Sequence, residues 1–585
     1  MMSFRSMGRR ARGPSRVRAW AVGAGCWGLL TASLCAQSTT NLWLGGSAAW
    51  DTAAKWSLGV APSATDALWI TNTASSYTVS LGAGTDPSTL TNRGLVLGLV
   101  GVTATTQTLS LVSAPAPVAQ NLGVQVNQSG LLSIQDSTLT ISSNLTLNRG
   151  RVEMSGSGAK LEIVGTPFGY NALVLRGETV SARMTLSGGA LVATNATGNA
   201  WTQIGSGLGN RDRGMLLVSN TLLHLDQVAL AVYADDVGFM SIQNAGLAET
   251  NRIRGFHLGV GTTPATGGVE MVGGTIFSSD PSYLGGNVSY GVITNRGATW
   301  IVHNNIDLGS SASGFGELVV QGGTNSLVNT GGNTGRLLVG SFNEATGALK
   351  VVGGWIVSDN AIRIGVNGVG FYEQSGGMVA ATNASATGVV RVGDGAASYT
   401  QSGGKLVADT LTLFTNTSAF SVGSLGTVEV RGAAGVTNAV LAANAGAFAF
   451  DGALKFAPAS ASVLTQSLLW AGLDLGAAFS GFSNNFAIGA LDLSGFSSSN
   501  RLVLGAFASQ SSTALYVRTI SALATNALIS DFTVYYDSAL NPDLAQQTYS
   551  LNGGGFLAPV AIPEPGSLVL LALGAIALRR RRRSS

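Results

Sequence analysis

The chain has 585 residues, of which 80 are glycine and 13 proline, with 45% apolar and only 10% charged. It is neither a disordered polymer, which needs low hydrophobicity and high net charge, nor a collagen, which needs glycine at every third position. The formal charge of +3 misleads: eleven of the 32 basic residues and one of the 29 acidic ones fall in the first 36 and last 24 residues, leaving the body at −7 and giving no support to nucleic acid as a partner.

Residues 1–36 read as a signal peptide. Arg5, Arg9, Arg10, Arg12, Arg16 and Arg18 precede an apolar run from Ala19 to Leu34, and Ser33-Leu34-Cys35-Ala36 offers small residues for cleavage after Ala36. This is the basic, apolar and cleavage-site order of a secretory leader. Both cysteines, Cys26 and Cys35, lie inside it, so the exported body has no thiol for a disulfide, a nucleophile or a metal. Residues 37–90 form a tryptophan-rich segment with Trp43, Trp50, Trp56 and Trp69 among glycine turns, expected as an N-terminal cap. This segment resembles the opening of exported autotransporter-like β-repeat proteins.

Residues 91–455 carry a repeat. Gly347-Ala-Leu-Lys-Val-Val-Gly-Gly354 leads to Ile362-Arg-Ile-Gly365, and Gly370-Phe-Tyr-Glu-Gln-Ser-Gly-Gly377 leads to Val390-Arg-Val-Gly393. Tracing the last glycine backwards gives Gly393, Gly365, Gly340, Gly309, Gly285, Gly259, Gly205, a degenerate unit near Tyr233, then Gly177, Asn148, Gly123 and Gly98. The mean period is about 27 residues. Strand-only content at that period predicts an all-β, right-handed parallel β-helix of about 12 coils, with β caps at both ends. At the ~4.8 Å spacing of paired strands a dozen coils make a rod of roughly 60 Å. Alternation places Gln203, His257, Tyr283, Asp307, Leu338, Arg363, Arg391 and Thr412 outward on one face, a mixture expected of a solvated surface. Residues 456–558 lose the repeat and are expected as a C-terminal β cap or small domain.

The last segment, 559–585, contains Pro563-Glu564-Pro565, an apolar run over 566–578, and Arg579, Arg580, Arg581, Arg582 and Arg583. A thirteen-residue helix rises about 20 Å against a hydrocarbon core of ~30 Å, and the arginine block would stop it in transit on the cytoplasmic side. These residues resemble the PEP-CTERM sorting signal of Gram-negative bacteria. The resemblance implies recognition by a membrane-embedded exosortase, transient anchoring in the inner membrane, and delivery to the cell surface, outer membrane or exopolysaccharide matrix.

Chemistry is sparse. His224, His257 and His303 share no metal-ligand spacing, Asp359, Asp394 and Asp409 stand singly rather than in a calcium repeat, and no cofactor or metal is expected. Asp226, Asp235, Asp236, Arg252, Arg254 and His257 fall in consecutive coils and match in type the Asp pair, histidine and basic motif of polygalacturonase-like β-helix hydrolases. Their order departs from that pattern: the basic motif precedes the histidine, which sits in Phe256-His257-Leu258. The expected protein is a non-enzymatic structural or adhesion protein, with a polysaccharide-degrading enzyme as the alternative. Candidate glycan contacts are Trp43, Trp50, Trp56 and Trp69 as a stacking platform and Arg363 and Arg391 for an anionic exopolysaccharide; burial in a cap and a solvated face compete with these roles. Asn127, Asn144, Asn195, Asn287, Asn383 and Asn416 begin glycosylation-like triplets, read as asparagine turns.

Overall fold

The computed structural model describes residues 39–561, apart from 166–170, 179, 206–210, 260–263, 441, 471, 507–512 and 524–526. The leader, the Pro563-Glu564-Pro565 motif, the apolar run 566–578 and Arg579 to Arg583 lie outside the described residues. Within them the chain is a parallel β-helix, with no α-helix and no helix long and apolar enough to cross a membrane.

The regular coils supply three short strands, because apolar residues alternate for four to six positions and then give way to glycine or polar corners; elsewhere a strand runs on around a corner, as in Ala397–Leu413 and Thr417–Asn438. One coil comprises Thr346–Val351, Trp355–Ser358 and Ala361–Ile364; the next comprises Val369–Gln374, Met378–Ala381 and Val389–Val392. They pair in parallel, Leu349 opposite Tyr372, Ile356 opposite Val379 and Arg363 opposite Arg391. Three sheets result, here called the first, second and third faces. On the third face, parallel pairing passes from Thr40–Leu42 through Ala67–Ile70 and Gly94–Leu97, along the whole repeat, to Thr465–Leu469, Arg501–Gly505 and Leu528–Ile529. The tryptophan-rich segment and the segment after residue 456 are therefore hydrogen-bonded into the same ladders as the coils between them. Among the described residues, antiparallel ladders occur at the C-terminal end, between Gly472–Leu473 and Thr513–Ser521 and between Tyr549–Ser550 and Phe556–Val560.

The corner after the third strand explains much of the glycine. Gly285 has φ +70°, and a Cβ there would stand 2.2 Å from the backbone of Phe315 in the next coil. The left-handed backbone and the close approach each exclude a larger residue. Two sequence assignments need correction. Gly123 precedes the strand Val124–Asn127 rather than closing it, and Asn148 ends a strand while Arg149 takes the left-handed corner at φ +62°. In the degenerate coil the corner is Ala231, at φ +55°.

Inside, like side chains stack on like. Leu230, Leu258, Leu284, Leu308, Val339 and Ile364 form one fully buried aliphatic column. Farther along, Tyr372 and Tyr399 stack at 4.4 Å, Tyr399 and Phe420 at 4.6 Å, and Phe420 and Phe448 at 4.9 Å. The buried tyrosine hydroxyls donate to Gln374 and Gln401, whose amides donate in turn to the carbonyls of Lys405 and Thr427 in the following coil. The polar atoms thus keep partners inside an apolar column, which is the condition for burying them cheaply. Toward the C-terminal end the column finishes in Trp470 and Phe486, both edge-on to Phe448.

Candidate functional site

The third face presents two outward positions on its four-residue strands and one on the three-residue strands Ser282–Leu284 and Ile306–Leu308, so its surface is a grid with coils as rows. One column reads Trp201, Gln227, Gly255; the other reads Gln203, Ala229, His257, Tyr283, Asp307, Leu338, Arg363, Arg391, Thr412. The second is the ladder expected from sequence, with Ala229 supplied by the degenerate coil.

Four side chains join at the upper part of this grid. His257 donates from Nε2 to Gln227 Oε1 at 3.1 Å, Gln227 Nε2 donates to Asp280 Oδ2 at 2.6 Å, and Asp280 pairs with Arg254 at 3.1 Å. Gly255 makes this possible, since a Cβ there would lie 3.0 Å from Gln227 Oε1 and 3.4 Å from Asp280 Cβ. Trp201 packs edge-on against His257 at 4.8 Å and Tyr283 at a tilt at 5.4 Å. Burial between these rings pushes the His257 imidazole down to about 4, against the opposing pull of Asp280. At neutral pH it is therefore an uncharged donor. Asp307, one coil past Tyr283, is pushed up to about 7 by burial, and its Oδ1 is buried without a hydrogen-bond partner.

Lower on the same column Arg363 and Arg391 are register partners. Asp394 holds both: Arg363 binds Oδ2 through Nε at 3.1 Å and through a terminal nitrogen, and Arg391 binds Oδ1 at 2.9 Å. Arg391 also lies over the Phe414 ring at 4.7 Å.

The six residues that resemble a hydrolase set do not come together. Asp226 is buried and accepts the backbone N–H groups of Asn195 and Ala200 in the preceding coil, as Asp409 accepts those of Asn383 and Gly388. Asp236 is fully buried, accepts from Asp212 N and Tyr233 N at 2.9 Å, and is pushed up to about 7 by its burial. Asp235, in the same corner, faces Arg211 at 3.5 Å with both side chains largely exposed. Arg252 follows His224 in register on the second face, where the two line a shallow depression with Glu249. Arg254 serves Asp280, and of the six, Arg254 and His257 alone belong to the third-face cluster. His303 packs on Phe277, apart from the other histidines. Among the described residues no group of three or more His, Cys, Asp or Glu side chains is arranged to hold a metal.

The tryptophan platform also needs correction. Trp43, Trp50 and Trp56 are buried, pack edge-to-face at 5.0 and 5.3 Å, and give their indole N–H groups to backbone carbonyls. They plug the N-terminal end of the core and leave no ring face for a sugar. Trp69 stands on the third face between Leu42 and Val96 and is 40% exposed. Asn195 and Asn383 accept backbone N–H groups two and four residues ahead, so these two triplets are turns. Trp201, Gln227 and Asp280 lie off the ladder that alternation assigns: Trp201 and Gln227 form a second outward column two residues upstream, and Asp280 sits in the corner before Ser282–Leu284.

A family model, the PEP-CTERM protein-sorting motif, matches residues 561–583. No curated protein and no solved structure matches the chain. The body is thus a parallel β-helix without a matched relative, and the matched tail marks an exported protein that exosortase sorts to the cell envelope.

Proposed function

We propose that this chain is a non-enzymatic structural or adhesion protein, displayed on the surface or in the exopolysaccharide matrix of a Gram-negative bacterium. The observation that carries the reading is the sorting motif at 561–583 behind a body of stacked coils. Such a body suits a rod: each coil rests on its neighbours, so length is gained by adding units without a new core. The acidic groups that would do hydrolytic work support the same reading, because Asp226 and Asp236 are spent on backbone N–H groups at the corners. In this reading the apolar run 566–578 anchors the chain transiently in the inner membrane until exosortase acts near Pro563-Glu564-Pro565.

The test is localisation of the tagged protein, with and without residues 563–585, in cells with and without exosortase. Delivery to the surface or matrix should need both the tail and the enzyme, with the tail-deleted protein released in folded form. Unchanged retention after deletion would contradict the sorting role. Release of reducing ends from polygalacturonate by the purified protein would contradict the non-enzymatic one.

A further inference from the structure

The lower third face carries more positive charge than its surroundings account for. Besides Arg363 and Arg391, Arg336 begins the strand Arg336–Val339, two residues before Leu338 and therefore in the neighbouring column of the same grid. Its basicity is lowered first by burial and then by the charges of Arg363 and Arg391, which places all three guanidinium groups within electrostatic reach of one another. Asp394 neutralises only part of this set. It takes two nitrogens of Arg363 and one of Arg391, while Arg336 gives one terminal nitrogen to the neutral Asn333 at 2.7 Å. Arg336 Nε is buried without a partner. A guanidinium has five N–H donors in a planar fork, so donors remain unfilled on a face where three cations meet one carboxylate, in a body whose formal charge is −7.

The structure also indicates what fits. Arg363 already grips a carboxylate, with Nε and a terminal nitrogen both on Oδ2 of Asp394 while Arg391 takes Oδ1, so this face holds one carboxylate between two guanidinium groups by charge-assisted hydrogen bonds. Rows repeat at ~4.8 Å along the axis, comparable to one pyranose unit of an extended chain. A polymer laid along the third face would therefore meet a new side chain at each coil. Above the arginines the same column continues through Leu338 and the buried carboxyl of Asp307 to the ring of Tyr283, which packs on His257, so the cationic side chains are confined to the lower part of the column.

We propose that Arg336, Arg363 and Arg391 form a binding strip for a carboxylate-bearing polysaccharide lying along the solenoid axis, with Arg336 supplying the charge that Asp394 leaves unbalanced. The strip deepens the matrix reading above and rests on it for its biological setting, but its chemistry is tested separately.

The experiment measures binding of the full-length exported protein to polygalacturonate at low salt, with neutral dextran and single-stranded DNA as comparison polymers. Arg336→Gln should weaken polygalacturonate binding about tenfold, the loss of one charge-assisted contact. Arg336→Lys, which keeps the charge but not the fork, should fall between, and Arg211→Gln, an exposed arginine in a corner outside the strip, should bind as wild type. Dextran should not bind, and polygalacturonate should be released at 1 M salt, where the screening length is about 3 Å. Equal affinity of wild type and Arg336→Gln, or no binding by wild type, overturns the strip. Equal binding of DNA with the same dependence on Arg336 overturns the saccharide assignment. Unchanged melting temperatures guard against a folding artefact, and wild-type salt release keeps the test decisive if a variant fails to fold. Correct surface delivery without binding would refute the strip alone; binding by a protein whose delivery ignores its tail would refute the sorting role alone.

Discussion

His257 and Trp201 touch edge-to-face at 4.8 Å although they belong to coils two steps apart, because the residue between them in the His257 column is Ala229. Two coil steps are about 10 Å, so the rings must lean toward each other over a side chain no larger than a methyl. Ala229 is accordingly buried at an outward position.

This contact sets the charge of the histidine. The proton on the imidazole ring should titrate by NMR with a midpoint near 4 in the wild type, below the ordinary value of 6.5. Ala229→Leu should part the rings, let water in and move the midpoint up toward 6.5. Since the folded state favours the neutral ring, its contribution to stability is present above pH 6.5 and lost as pH falls toward 4. An unmoved midpoint in the variant would show that burial at this site does not depend on the Trp201 contact.

Asp307 has the opposite sign. Burial raises its carboxyl to about 7, so the folded state favours the protonated form: its contribution is full below the unfolded value near 3.8 and is lost as pH rises through about 7. Asp307→Asn should remove that dependence. In denaturant titrations across this range, the variant should gain on the wild type as pH rises; parallel curves would mean that Asp307 is hydrated.

The corners give a paired test of backbone strain. Gly285→Ala should destabilise by about 2 kcal/mol or more, because a left-handed φ of +70° and a Cβ 2.2 Å from the Phe315 backbone act together. Ala231→Gly, at the equivalent corner with φ +55°, should stabilise by about 0.5–1 kcal/mol, since the left-handed conformation costs alanine more than glycine. The midpoints of chemical denaturation should move in opposite directions.

By itself the sequence determined the coil, its three strand segments, the glycine corners from Gly259 to Gly393 and the outward ladder from His257 to Thr412, because alternation and period are local properties that each residue carries with it; the corners at Arg149 and Ala231 and the ladder position of Ala229 came from the structure. It also located the sorting tail, a linear motif that needs no fold to be read. Tertiary structure decided which outward residues meet. Trp201, Gln227, His257 and Asp280 come from four successive coils, and their contact depends on a missing side chain at Gly255 and a small one at Ala229, quantities that no single repeat displays. Tertiary structure likewise turned three tryptophans from a platform into a plug, since a solenoid's open end must be filled by its largest apolar groups. It also drew Arg336 into electrostatic reach of Arg363 and Arg391, because coil stacking brings together charges that lie 27 and 55 residues apart in the chain.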